Sequence, residues 1–298
     1  MDQIRPHDGA PAFEFECSVA VKAAEEAGAL LRSRFQDTFG VCSKGEDGDV
    51  VTELDLLAEA LVTRRLAECF PGDRIVAEEG GVTGGAAGGR SGGPASGRTW
   101  LVDPLDGSNN VVIGLPAYVV GIALCVDGEP VVGVVHDPVI GRTWRAVAGA
   151  GAYGPQGRLC DTAGTARSAG AVAAAGPVLA WTQGHGIAAG DRVVRELRAE
   201  VEAGSRRLLQ LWAPLLAWSM LARGDIDGFV GYLPEEIDLP AGCLLAAEAG
   251  VVIRRLDGGR YSPRIGQADT ARSFVAGRPG VMPYLLDLVA RASSAASG

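Results

Sequence analysis

The chain reads as a mixed α+β protein. Three observations carry that reading. Two stretches with helical apolar spacing open the sequence. A succession of strand-like runs with a hairpin signal fills its middle. Helices and strands then alternate through its second half.

In chain order, the first dozen residues read as a loose arm. Across 13–35, Val19, Val21, Ala24, Ala27, Leu30 and Leu31 recur at helical spacing, and Gly40 is the expected stop. A polar turn follows at 44–49. Thr52 then offers an N-cap, with Asp55 in the first turn. Leu56, Leu57, Ala60, Leu61 and Leu66 make the apolar side of that second helix, which ends before Pro71-Gly72. Residues 74–77 read as a short strand running into Glu78-Glu79. The stretch 80–98 holds nine of the chain's 43 glycines and little to bury, so it reads as a flexible surface flap between two acidic clusters.

Strands are expected at 99–102, 117–126, 130–136 and 143–148, with Asp127-Gly128 as a hairpin turn, which together suggest an antiparallel meander. Helices follow at 191–203, 208–222, 240–249 and 281–290. Strand-like pieces lie at 172–175, 228–230, 251–254 and 273–276, with a soft boundary near 155–170. Two lobes result, 13–160 and 161–295.

Composition excludes several classes. The 298 residues carry 27 Lys+Arg against 36 Asp+Glu, a net charge of −9, which is no footprint for nucleic acid. The glycines have no three-residue period, so collagen is excluded. The longest apolar run, 111–126, is interrupted by Gly114, Pro116 and Gly121 and is too short to span a bilayer. The N-terminus lacks the apolar segment of a signal peptide. The cysteines at 17, 42, 69, 125, 160 and 243 have neither zinc nor disulfide spacing and read as reduced, buried and cytoplasmic.

Four segments place acids where strands or helices begin and end: Asp55, Glu78-Glu79, Asp103 with Asp106, and Asp238 before Pro240. Taken singly, each suits an ordinary cap or turn. In 103–108, Asp-Pro-Leu-Asp-Gly-Ser, two carboxylates three residues apart share a sharp turn and repel one another unless a cation is present. Carboxylates without His or Cys suit a hard ion such as Mg²⁺ or Mn²⁺. Gly107 permits close approach of a ligand to the backbone. A divalent ion also lets an acidic protein take an anionic substrate.

Four motifs together, DVVTELD (49–55), RIVAEEG (74–80), WLVDPLDGSNNVVIGLP (100–116) and GDIDGFVGYLPEEIDLPAGCLLAAEAG (224–250), resemble the inositol monophosphatase superfamily of Mg²⁺-dependent, lithium-sensitive phosphatases over about 15–290. The Ser of DPLDGS is also similar to the related fructose-1,6-bisphosphatases. The resemblance, with the meander, implies a layered αβαβα sandwich of the inositol monophosphatase and sugar phosphatase type. It implies that Glu78, Asp103 and the Leu105 carbonyl bind one metal, and that Asp103, Asp106 and Asp238 bind a second. A third, weaker ion would sit near Glu78. Most ligands thus fall in the first lobe, and Asp238 and the substrate-pocket wall in the second. Ser108, where the family usually has Thr, would pair with Asp55 to orient the attacking water, with Glu78 helping to deprotonate it. The Gly107 and Ser108 N–H groups would hold phosphate. No nucleophilic Cys or His is expected, although His185 in a Gly-flanked loop is placed to approach substrate. Homodimers are common in the family.

Departures fall on the substrate side. The usual Trp before the ligand Asp is Ile237. Trp212-Ala213-Pro214 replaces a Gly-Ser-Ala segment. The Glu with which inositol-specific members hold the ring aligns with Gly231. Trp212, Glu235, Glu236 and Arg206 are candidates to line an altered pocket. The expectation is a phosphomonoesterase of a small metabolite: an inositol phosphate, a sugar phosphate, histidinol phosphate, fructose 1,6-bisphosphate or 3′-phosphoadenosine 5′-phosphate. The alternative is a catalytically retired member that binds a phospho-ligand or a regulatory partner.

Overall fold

The computed structural model describes residues 12–44, 50–84, 97–159, 176–188 and 190–297. The chain opens on α1 (Glu14–Arg34), with Glu14 and Glu16 in its first turn and Arg32 and Arg34 in its last, complementing the helix dipole. Its buried stripe runs from Cys17 and Val19 to Leu31 and has small residues at its centre, Ala20, Ala23, Ala24, Ala27 and Gly28. It ends six residues before Gly40, the expected stop. A two-stranded ribbon, β1 (Val41–Ser43) and β2 (Val50–Thr52), leads into α2 (Glu53–Cys69).

Thr52 and Asp55 form a reciprocal capping box on α2. That box fixes the helix phase. Leu54, Asp55, Ala58, Glu59, Val62 and Leu66 face inward, whereas Leu56 and Leu57, expected inside, are exposed.

An eight-stranded sheet follows: β3 (Arg74–Ala77), β4 (Gly81–Gly84), β5 (Arg98–Asp106), β6 (Val119–Val126), β7 (Glu129–Asp137), β8 (Arg142–Val147), β9 (Gly151–Gly154) and β10 (Gly157–Leu159), with α3 (Ser108–Val112) after β5. The spatial order is β10-β9-β8-β7-β6-β5-β3-β4, antiparallel except for the β3–β5 pair. The expected meander is present. Asp127 (φ 49°) and Gly128 (φ 88°) turn β6 into β7 as a two-residue hairpin with both central residues left-handed.

A five-stranded sheet has the order β12-β11-β13-β15-β14. It is built from β11 (Val178–Gln183), β12 (Arg207–Leu209), β13 (Gly228–Tyr232), β14 (Val252–Arg254) and β15 (Phe274–Gly277). Its helices are α4 (Arg192–Ala203), α5 (Pro214–Arg223), α6 (Pro240–Glu248) and α7 (Met282–Ser297).

The layers alternate. α1 and α2 cover one face of the large sheet around Leu31, Val62 and Trp100. α5 and α6 cover its other face and also pack on the small sheet, through Leu215 and Leu245 on one side and Trp218 and Cys243 on the other. α4 and α7 close the outer face of the small sheet around Leu197, Leu285 and Val289. This is the expected αβαβα sandwich.

Glycines allow its closest approach. A Cβ on Gly133 of β7 would lie 2.7 Å from the Ala241 carbonyl oxygen and 3.2 Å from its Cα, both backbone atoms of α6. Gly133→Ala must push α6 off the sheet. We expect it to cost about 1–3 kcal/mol, read as a lowered midpoint in denaturant unfolding; an unchanged midpoint would show that the layers have slack.

Several boundaries differ from expectation. Residues 81–84 pair with β3 as an edge strand instead of belonging to the flap, and 85–96 lie outside the described residues. β5 continues through the Asp-Pro-Leu-Asp segment instead of stopping at Val102. The helix expected from 208 starts at Pro214, whose fixed φ suits a first helical turn; 207–209 add a parallel edge strand. β11 was not expected. The arm at 1–11, most of the 44–49 turn, the 172–175 strand, His7 and Cys160 lie outside the described residues, as does most of the 155–170 boundary. Cys17, Cys125 and Cys243 are buried as expected. Cys42, on the exposed β1, and Cys69, at the end of α2, are not.

Candidate active site

Parallel pairing creates the first part of the site. Ala77 of β3 lies opposite Val102 of β5, so the next residues, Glu78 just past the end of β3 and Asp103 still within β5, come side by side. The Glu78 N–H donates to the Val102 carbonyl at 3.2 Å.

A β-bulge creates the second part. Three steps separate Asp103 and Asp106 on β5, which in a regular strand would put them on opposite faces. Their partners on β6, Gly121 and Val119, are only two steps apart. The extra residue restores the phase and turns both carboxylates toward one point. Gly107 (φ 110°) then reverses the chain; a Cβ there would meet the Ala117 carbonyl oxygen at 2.8 Å.

The small-sheet side brings the third acid. Asp238 lies in the turn before α6, and carboxylate oxygens of Asp103, Asp106 and Asp238 all fall within 4.8 Å of one another. Asp103 is held by the Leu105 N–H at 3.1 Å. Asp106 accepts the Leu215 and Leu216 N–H groups, at 2.7 and 3.2 Å, from the first turn of α5. Burial, then repulsion from Glu78, Asp106 and Asp238, pushes the Asp103 carboxyl well above the usual range. Burial does the same to Asp106 although the two N–H donors oppose it. Three crowded carboxylates with neither His nor Cys fit a hard divalent cation, whose charge removes the repulsion that the group otherwise contains.

Asp55 satisfies both readings of it. Its Oδ2 accepts the Thr52 N–H at 2.8 Å, as a helix cap should, and the Thr52 hydroxyl at 2.5 Å. Its Oδ1 accepts the Ser108 hydroxyl at 2.5 Å, which joins α2 to the turn after β5. Burial raises the Asp55 carboxyl, against the hydroxyl donors. The Leu105 carbonyl lies 2.9 Å from the Ser108 hydroxyl.

Glu78 touches the acid group through Asp103, and its Oε1 also lies 2.8 Å from Lys44 Nζ. Lys44, read from sequence only as part of a polar turn, pairs with Glu79 as well. Burial works against the Lys44 charge, but Glu78 and Glu79 override it and push its pKa up. Burial pushes Glu79 up to about 7, only partly offset by Lys44.

Sequence reasoning also missed Glu59. This buried carboxylate on α2 accepts the Glu79 and Gly80 N–H groups, both at 2.7 Å, and so clamps the turn that carries Glu78. The available signal was two acids four residues apart, 55 and 59, inside an apolar stripe at 54, 58, 62 and 66. We expect Glu59→Gln to weaken divalent-metal activation about 10-fold, measured as a higher half-saturating metal concentration; an unchanged value would remove the clamp from the account.

Lys44, Glu78, Asp103, Asp106, Ser108 and Asp238 line one cleft of about 900 Å³. The lining also includes His185, Arg198, Trp212, Glu235, Glu236 and Arg272. Glu236 also accepts the Gly266 N–H at 2.7 Å. Arg206, expected here, is not part of the lining; its N–H bonds the Pro177 carbonyl at the start of β11. His136 is a buried strand residue, 2.9 Å from the Thr143 hydroxyl.

The Inositol monophosphatase family profile matches residues 14–294. The chain belongs to the inositol monophosphatase family. It is 35% identical over 290 residues to the inositol-1-monophosphatase of Mycobacterium leprae, covering 92% of each chain. The solved structure of Mycobacterium tuberculosis SuhB superposes with a TM-score of 0.69 at 30% identity, covering 96% of this chain and 98% of that one. The extragenic suppressor protein suhB of Bartonella henselae gives 0.77 at 25% identity, covering 93% and 98%. Gly231 on β13 is not part of the cleft lining. A Cβ there would lie 2.3 Å from the Phe274 ring, so β13 has no room for a side chain at this position.

Proposed function

We propose that the cleft hydrolyses a phosphate monoester of a small polyol or sugar with Mg²⁺, or Mn²⁺, held by Asp103, Asp106 and Asp238. As a family member the chain is a phosphoric monoester hydrolase acting on a small phosphorylated metabolite. The observation that carries the finer reading is the convergence of those three carboxylates beside the Ser108–Asp55 pair.

A divalent cation bound there supplies Lewis acidity and neutralises charge on the phosphoryl group. The chain's own groups do the rest. The Ser108 hydroxyl donates to Asp55 Oδ1, which leaves the Ser108 oxygen free to accept a hydrogen bond from a water and fix its line of approach. Asp55 Oδ1 takes the proton passed through that hydroxyl, and Glu78 assists from the other strand end. The Gly107 and Ser108 N–H groups hold phosphate oxygens. In-line displacement then needs positioning more than covalent chemistry, so no Cys or His nucleophile enters.

A first lobe, 13–160, supplies most of these acids, and a second, 161–295, adds Asp238 and the wall bearing Trp212, Glu235 and Glu236. A third cation at Glu78 would have to displace Lys44. Millimolar Li⁺ inhibition, homodimerisation and a cytoplasmic location belong to the same reading. The described residues include no helix long and apolar enough to cross a membrane.

The test is phosphate release with Mg²⁺ from inositol phosphates, hexose phosphates, histidinol phosphate, fructose 1,6-bisphosphate and 3′-phosphoadenosine 5′-phosphate. Release from at least one is expected. No release from any of them, with metal bound, contradicts the proposal.

A further inference from the structure

Trp212 combines two features that a structural residue rarely combines. Its φ of 50° lies in the left-handed region, where a bulky side chain is unfavourable and Gly or Asn is usual. Its side chain is 62% exposed. Among the described residues its indole belongs to none of the four apolar clusters and pairs with no other aromatic ring. The strain therefore serves no core packing; it falls at the bend that joins β12 to α5.

The flanking chain holds that conformation in place. Asn110 Nδ2 donates to the Leu211 carbonyl at 2.5 Å. Ala213 is buried, close enough that a Cβ on Gly107 would lie 3.3 Å from its own. The next N–H groups, of Leu215 and Leu216, are bound to Asp106. Both sides of Trp212 are thus tied to the turn that carries Asp106, Gly107 and Ser108, and the indole lines the same cleft. The backbone at Trp212 is thus fixed relative to that turn, which sets the indole at the cleft beside it.

We infer that Trp212 is a stacking platform for the alcohol half of the substrate, and that this alcohol is a ring with a flat apolar face. The inference rests on the phosphatase reading and narrows it to ring-bearing monoesters. An indole pairs with the C–H face of a sugar or cyclitol ring, or with a nucleobase, and gains little from a short open chain. Glu235, with its side chain about half exposed, and Arg198 offer polar atoms on the same wall for ring substituents.

The experiment compares kcat/KM of the wild type, Trp212→Gly and Trp212→Phe. Substrates are inositol and hexose phosphates, a nucleoside monophosphate and glycerol 2-phosphate. Glycine adopts φ 50° without strain, so the Gly variant retains the backbone. We expect the preference for ring over open-chain substrates to fall about tenfold in Trp212→Gly, mainly through KM, and to recover in Trp212→Phe. A fall confined to inositol and hexose phosphates identifies a sugar or cyclitol ring; one confined to the nucleotide identifies a base. An unchanged preference, or equal loss on glycerol 2-phosphate, overturns the stacking role while leaving the phosphatase intact. A wild type inactive on every substrate overturns the phosphatase reading and this inference with it.

Discussion

Asp103→Asn is expected to lower phosphate release on the order of 10³-fold and, in chelator, to raise thermal stability. The two effects share one cause. Asp103 is a buried carboxylate beside Glu78, Asp106 and Asp238, so its charge is unfavourable until a cation neutralises the group. Asn keeps an oxygen for the Leu105 N–H while removing that charge. Relief of about 1 kcal/mol would raise the unfolding midpoint by roughly 2–4 °C in chelator. The wild type should gain stability on adding Mg²⁺, by about 2.7 kcal/mol at a hundred times its Kd, and the variant should gain far less. Thermal unfolding with chelator and with Mg²⁺, alongside turnover, reads both effects. A variant that loses activity but still responds fully to Mg²⁺ would separate Asp103 from the metal. A catalytically retired scaffold would show no turnover to lose.

The second large effect is expected at Ser108. Ser108→Ala should cut kcat about 10²-fold, and Ser108→Thr should restore most of it because the hydroxyl returns. The stability change should be small, about 1 kcal/mol, since Asp55 retains its two bonds to Thr52. A pH–rate profile for both variants distinguishes roles. If the hydroxyl only braces α2 against β5, Ala loses stability and activity together, and the acid limb of the profile stays in place.

Much of the fold was legible because local chemistry and tertiary packing agreed. The capping residues of α2 and the Asp127-Gly128 hairpin are short-range signals that the structure keeps. The phase of α2 was misread because leucines at 56 and 57 look like core residues, whereas the cap at Thr52–Asp55 rotates the helix to aim a carboxylate inward. The helix expected from 208 was misplaced because Leu208 and Leu209 suit a parallel edge strand as well as a helix. The five-stranded sheet was only partly visible, since its parallel pairs leave no hairpin turns.

The candidate site was legible as residue types and illegible as geometry. Asp103 and Asp106 meet only because a bulge in β5 changes their phase, and no spacing rule announces that bulge. Glu78 reaches Asp103 through a parallel register between strands separated by the glycine-rich stretch. Lys44 and Glu59 act through contacts 34 and 20 residues away along the chain. Arg206 carried the right chemistry but is not part of the cleft lining. The net charge of −9 argued only against nucleic acid, yet part of it is concentrated in the acidic group that fits a cation.

The most direct measurement is phosphate release from the preferred monoester as Mg²⁺ is titrated into metal-stripped protein, wild type beside Asp103→Asn. The account predicts no turnover in chelator, saturable activation of the wild type, and no recovery of the variant across the same range. Turnover by the wild type that persists in chelator, or a variant activated along the wild-type curve, would contradict it.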